Sequence, residues 1–149
     1  MNIYFSGAIA GGRQKQRVYK DLISFCKKYG FVHNECVGKK NIRVHKSMNV
    51  YDRNMDWIKD CDIFIADVSV PSLGVGMEIQ YAIEHQIPVL CLFDMTEMRD
   101  TSKMLTNCRH ISLIGYSTND NAKKVIHEFI VNHGGKELDE VSEFEEKEA

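Results

Sequence analysis

"DIFIADVSVPSLGVGMEIQYA", residues 62–82, decides how this chain folds. Its first part, "DIFIADV", is a continuous apolar run of the kind found in a strand buried on both faces. The chain then turns through Pro71-Ser72-Leu73-Gly74-Val75-Gly76 and begins a helix, with Glu78 one turn in. Glycines this close to a helix start let a backbone or a ligand come near. A carboxylate there is either an acid that satisfies the helix dipole or a reactive group aimed into a pocket.

The same alternation continues on both sides. Upstream, "NIYFSG" reads as a strand ending in a glycine turn. Val18, Leu22, Cys26 and Tyr29 then recur at helical spacing, with Gly30 as a stop signal. "FVHNECV" reads as a second strand, "GKKNIRVHKSM" as a basic loop, and "NVYDRNMDWIKDC" as a helix. Downstream come the strand "IPVLCLF", a short helix in "TSKMLTNC", the strand "HISLIGY", and a last helix. In that helix Ala122, Val125, Ile126, Phe129 and Ile130 form one apolar stripe. Buried strands alternating with helices imply a parallel sheet covered on both sides. Five strands in this length suit one α/β, flavodoxin-like, doubly wound domain over residues 1–133. Residues 134–149 form an acidic C-terminal tail with little to bury, expected to be partly disordered.

Composition narrows the function classes. With 149 residues and a net charge of −2, the chain is long enough for a proper core. It lacks the basic excess of a general nucleic-acid binder. Seven of the acids lie from Gly134 onward, so the preceding body is slightly basic, which suits a small anionic ligand. The five cysteines (Cys26, Cys36, Cys61, Cys91 and Cys108) form no CxxC pair and read as free thiols of a reducing compartment. No apolar run reaches a membrane span, and the N-terminus passes directly into a strand-like run. A cytoplasmic or nuclear protein with no membrane partner is expected.

Ligands of doubly wound sheets bind beyond the carboxyl ends of the strands. Two segments end strands in glycine turns there, "SGAIAGGR" and "SVPSLGVGME". Gly7, Gly11 and Gly12 do not fit GxGxxG, Gly74 and Gly76 lack the third glycine, and no GxxxxGK[ST] occurs. The six histidines show no metal-ligand spacing. Neither a metal nor a cofactor is expected. Ser72 can cap the helix from Leu73, leaving free N–H groups for an anion; a plain N-cap is the simpler alternative. Glu78 sits among small and apolar neighbours, which argues against casual solvation. Tyr4 lies inside the first strand, where its hydroxyl needs a partner if buried.

"IYFSGAIAGGR", "DWIKDCDIFIADV", "PSLGVGMEIQYA" and "PVLCLF" together resemble the 2′-deoxynucleoside 5′-phosphate N-hydrolases, relatives of the nucleoside 2-deoxyribosyltransferases. The likeness spans the chain from Asn2 to the end of the last helix, apart from the basic loop. "PSLGVG-x-E" is the part specific to the hydrolase branch. The resemblance implies that Glu78 attacks C1′ of a deoxyribose to form a glycosyl-enzyme that water then hydrolyses, as in retaining glycosidases. It implies that Tyr4 positions that carboxylate and that Ser72 binds the 5′-phosphate. It also implies that Ser102 binds phosphate from the neighbouring subunit of a homodimer. Gly7, Ile9, Arg13, Gly74 and Gly76 are expected to line the same deoxynucleotide pocket.

Three positions depart from the pattern. Asn54 stands where the family carries an aspartate expected to protonate the leaving base or orient the sugar, and an amide has no titratable proton to give. Such general acid–base help is worth about 10²–10⁴-fold. Asp52 and Asp56 each lie two residues away, roughly 200° around a helix, so neither substitutes. Ala8 and Ala10 replace a serine and an arginine expected to hold the phosphate, which removes a charge-assisted contact. The expected activity is cleavage of the base–sugar bond of deoxynucleoside monophosphates. A base-exchanging transferase uses the same nucleophile, and a nucleotide-binding protein of low turnover would fit Asn54 and Ala10.

Overall fold

The computed structural model describes residues 1–97 and 101–138; the far end of the acidic tail lies outside the described residues. Five strands alternate with helices along the chain: β1 (Asn2–Ser6), α1 (Gln16–Cys26), β2 (Phe31–His33), α2 (Val50–Asp60), β3 (Ile63–Asp67), α3 (Leu73–Glu84), β4 (Val89–Asp94), α4 (Lys103–Thr106), β5 (Ser112–Tyr116) and α5 (Asn119–Asn132). All pairings are parallel, in the order β2-β1-β3-β4-β5. That is the flavodoxin-like order, with its switch point between β1 and β3.

The strands show why the sheet needs helices on both sides. Ile3 and Phe5 of β1, with Ile63 and Ile65 of β3, enter one core beside Leu22 of α1 and Ile126 of α5. Tyr4 of β1, with Phe64 and Ala66 of β3, enters the other core beside Ile58 of α2 and Ile79 of α3. Alternate residues thus serve opposite faces, as the two-residue strand repeat demands. Every residue of β3 is buried, in keeping with its apolar run over residues 63–66, and the strand ends on the buried carboxyl of Asp67.

The second strand is shorter than its sequence suggests. "FVHNECV" stays extended only to His33; Asn34 then adopts a left-handed conformation and Glu35–Gly38 form a 3-10 turn. Asparagine tolerates that region better than most residues. Its side-chain amide also donates to the Phe5 carbonyl at 3.1 Å, anchoring the turn beside the end of β1. Leu138, within the segment assigned to the tail, packs against the core that holds α5.

Candidate active site

The carboxyl ends of β1 and β3 carry the two glycine turns, and close backbone contact joins them. A Cβ added to Gly11 would lie 2.3 Å from the Pro71 carbonyl oxygen, so only glycine lets the β1–α1 and β3–α3 loops meet there. A Cβ on Gly7 would fall 2.8 Å from the Tyr19 ring. Beneath the β3–α3 loop, buried Asp67 accepts the Tyr116 hydroxyl at 2.6 Å and the Ser69 N–H at 2.9 Å. Burial pushes the Asp67 carboxyl above its ordinary range. Ser69 in turn accepts the Asp94 N–H at 2.9 Å, and buried Lys15 bonds Asp94 and, at 2.9 Å, Glu97. This polar cluster fixes the loop that launches α3.

Helix α3 begins on its sequence-predicted cap. The Ser72 side chain accepts the Val75 N–H at 3.4 Å, and the N–H groups of Leu73 and Gly74 have no acceptor within the helix. The helix buries Val75, Ile79 and Ala82 on the sheet. Gly74 and Glu78, one turn apart, share another face. A Cβ on Gly74 would meet only the Ser72 hydroxyl, at 4.0 Å, and one on Gly76 would meet nothing within 4 Å. Glycine inside a helix costs about 0.5–1 kcal/mol relative to alanine. Packing does not call for these two glycines. Both leave open space beside the first turns of the helix.

Glu78 is half-buried, and the Tyr4 hydroxyl donates to its Oε2 across the second core. Burial raises the Glu78 pKa from 4.5 to about 7, against the hydrogen bond from Tyr4, the nearby Ser6 hydroxyl and the positive charge of Arg53, all of which lower it. Tyr4 is fully buried, and burial together with the Glu78 charge drives its own pKa far up, so the phenol remains a donor. The carboxyl is therefore poised to change charge near neutrality, which an ordinary surface glutamate is not.

Asn54 is half-buried on α2, and its Oδ1 accepts the Arg53 Nε–H at 3.0 Å. The Arg53 guanidinium stacks over Trp57 at 4.5 Å. Asp52 and Asp56 are exposed, so neither takes over the inward position. Ala8 is buried, and its N–H donates to the Tyr19 hydroxyl at 3.2 Å; Ala10 is exposed. Ile9 is exposed at the rim of the β1–α1 loop. Arg13, expected in the pocket, is turned elsewhere: it donates to the carbonyls of Ala8, Val37 and Lys39 at 2.7–3.0 Å. Its guanidinium ties the β1–α1 loop to the 3-10 turn.

Ser102 caps α4 by accepting the Met104 N–H at 3.2 Å. It lines a cavity of about 850 Å³ on the other flank of α3, together with Ser72, Gly76, Ile79 and Leu105. Glu78 and Tyr4 are not part of that wall. The sequence-predicted residues thus fall into two groups astride one helix. Glu78, Tyr4 and Gly74 lie on one side, Gly76 and Ser102 on the other, and Ser72 stands at the helix tip. Sequence reading missed Ser6, Arg53 and the Asp67–Lys15 cluster, because nothing in their local sequence marks a lone serine, arginine or lysine as facing Glu78 or the loop.

A family model described as nucleoside 2-deoxyribosyltransferase matches residues 3–134. The chain belongs to that family. Among its relatives, the 5-hydroxymethyl-dUMP N-hydrolase of Tetraodon nigroviridis is 33% identical over 111 residues, covering 70% of this chain and 78% of the relative. The 5-hydroxymethyl-dUMP N-hydrolase of Esox lucius is 36% identical over 112 residues, covering 70% and 77%. Among solved structures, the Clostridium botulinum CMP N-glycosidase superposes with a TM-score of 0.58 at 21% identity, covering 85% of this chain and 98% of that one. The 2-deoxyribosyltransferase of Bacillus psychrosaccharolyticus superposes with a TM-score of 0.57 at 16% identity, covering 83% and 90%. These two share the fold with this member of the nucleoside 2-deoxyribosyltransferase family.

Proposed function

We propose that this protein hydrolyses the N-glycosidic bond of 2′-deoxynucleoside 5′-monophosphates, releasing free base and deoxyribose 5-phosphate. The observation that carries the reading is the Glu78 carboxyl, poised near pH 7 and held by Tyr4 at the switch point of the sheet. Relatives sharing a third of their residues over most of their length are named as hydrolases of a deoxynucleoside monophosphate.

The sugar sits over Glu78 in the space that Gly74 leaves open, and the phosphate meets the N–H groups and Ser72 hydroxyl at the start of α3. A Glu78 oxygen bonds to C1′ as the C1′–N bond breaks, and the base leaves with the electron pair. Water then adds to C1′ and frees Glu78. Its hydroxyl stays on the sugar, and the base gains the proton. Tyr4 anchors one carboxylate oxygen so that the other faces the sugar carbon. Asn54 hydrogen-bonds in the position of the missing acid without supplying a proton, so bases that depart readily as anions are cleaved best.

The homodimer belongs to the same proposal. Leu73 is 91% exposed and Met104 83%, both beside the cavity that holds Ser102. A second copy covering this apolar face brings its own Ser102 toward the phosphate end of the site.

Chromatography of base released from a panel of nucleosides and monophosphates, with and without a second free base, tests the reading. Release of base from monophosphates, with no exchange product, is expected. Exchange product would favour the transferase. Monophosphate binding with no release, even after Asn54→Asp, would favour a binding protein.

A further inference from the structure

Ser6 is the last residue of β1, paired in register with Ala66 of β3. Two residues beyond Tyr4, it projects to the same side of the sheet, toward α3 and Glu78. Its side chain is fully buried, and its hydroxyl is the buried side-chain polar atom that lacks a hydrogen-bond partner among the described residues. Leaving such a group unmatched costs about 1–3 kcal/mol. Glycine or alanine there would avoid that cost. The hydroxyl nevertheless lies close enough to the Glu78 carboxyl to favour its charged form, although no bond between them closes at rest.

We propose that Ser6 is a positioning residue: its hydroxyl is the second donor to Glu78, closing onto the carboxylate once that group is ionised. The inference rests on the reading of Glu78 as nucleophile. Tyr4 holds one oxygen of the carboxylate. A carboxylate pinned at one oxygen still swings about its last bond, and a second donor from the same strand removes that freedom. No proton is transferred; the hydroxyl only orients and stabilises the negative charge. The groups that act on Glu78 are Tyr4 and Ser6 from β1 and Arg53 from α2, with Cys36 beside Tyr4. Of these, Tyr4 already donates to Glu78, Arg53 donates to Asn54, and Ser6 is the donor whose hydrogen is still unassigned.

Ser6→Thr and Ser6→Val test this in the full chain, since they have nearly equal volume and only the first keeps a hydroxyl. Ser6→Ala is the smaller control. Three quantities are compared: the Glu78 carboxyl titration followed by ¹³C NMR, the melting temperature, and the pH dependence of base release from a deoxynucleoside monophosphate. The Glu78 resonance is assigned by its loss in Glu78→Gln. Ser6→Val and Ser6→Ala are expected to titrate at higher pH than the unaltered protein, and Ser6→Thr near it. Removing the hydroxyl should lower kcat about tenfold with little change in KM, as for loss of one hydrogen bond to a charged group. Ser6→Ala should melt no lower than the unaltered protein. Coincident titrations in Ser6→Val and Ser6→Thr would overturn the inference. So would a fall in melting temperature for Ser6→Ala with an unmoved pH profile. The titration requires no turnover, so absence of base release in every variant would count against the glycosidase reading while the midpoints still decide Ser6.

Discussion

The hydroxyl of Tyr4 and the carboxylate of Glu78 meet across 74 positions of sequence, one from the first strand and one from the third helix. The strand is interior to the sheet, between β2 and β3, and fully buried at Tyr4, so the phenol has a fixed direction. The helix is fixed by its Ser72 cap and by Val75, Ile79 and Ala82 against the sheet. Two rigid elements thus present one donor to one acceptor, which is what a nucleophile of defined aim requires.

Tyr4→Phe removes that donor and keeps the ring that stacks on Phe64 at 5.3 Å. Because the Tyr4 bond lowers the Glu78 pKa, its loss should move the acidic limb of kcat/KM to higher pH. A drop of about ten- to hundredfold at pH 7 is expected for one hydrogen bond to a charged group. The pH–rate profile checks both effects.

Glu78 should also limit stability, in a direction set by its pKa. The group titrates near 4.5 when unfolded and near 7 when folded. Between those values the native state keeps a proton that the unfolded chain has released, so stability falls as pH rises through this window. The full effect is roughly 3 kcal/mol above pH 7 and vanishes below pH 4. Glu78→Gln carries no such penalty. It should melt higher than the unaltered protein at pH 8 and equally at pH 4, measured by thermal denaturation.

Gly74 offers a separation of function from folding. Gly74→Ala should stabilise α3 by about 0.5–1 kcal/mol, since its Cβ meets no protein atom closer than 4.0 Å. The same methyl enters the space assigned to the sugar. A higher melting temperature together with weaker substrate binding, seen as raised KM, is expected.

Asn54→Asp should restore a proton donor and raise base release, up to the 10²–10⁴-fold scale of general acid catalysis. Arg53, whose Nε lies 3.0 Å from the present Asn54 Oδ1, would hold the new carboxyl ionised. The gain should therefore be greatest at acidic pH. Adding Arg53→Gln should extend it toward neutrality, as read from rates of base release across pH.

Much of the fold is legible in the sequence. The apolar run of β3 and the alternation of strand-like and helical segments follow from sequence pattern, and they imply the parallel sheet. Ser72 announced its cap through residue type and position. The end of β2 did not show itself, because Asn34 turns left-handed only with the Phe5 carbonyl beside it. Arg13 misled for a related reason: an arginine next to two glycines suits a phosphate as well as three carbonyls supplied by a distant turn. Ser6 and Arg53 gain meaning only once β1, α2 and α3 meet.

Intact-protein mass spectrometry of the acid-quenched reaction, followed by peptide mapping, tests the central claim most directly. During turnover of a deoxynucleoside monophosphate, a deoxyribose 5-phosphate adduct should accumulate on the peptide containing Glu78, and none should form in Glu78→Gln. Base release without an adduct there, or an adduct carried by another residue, would contradict the account.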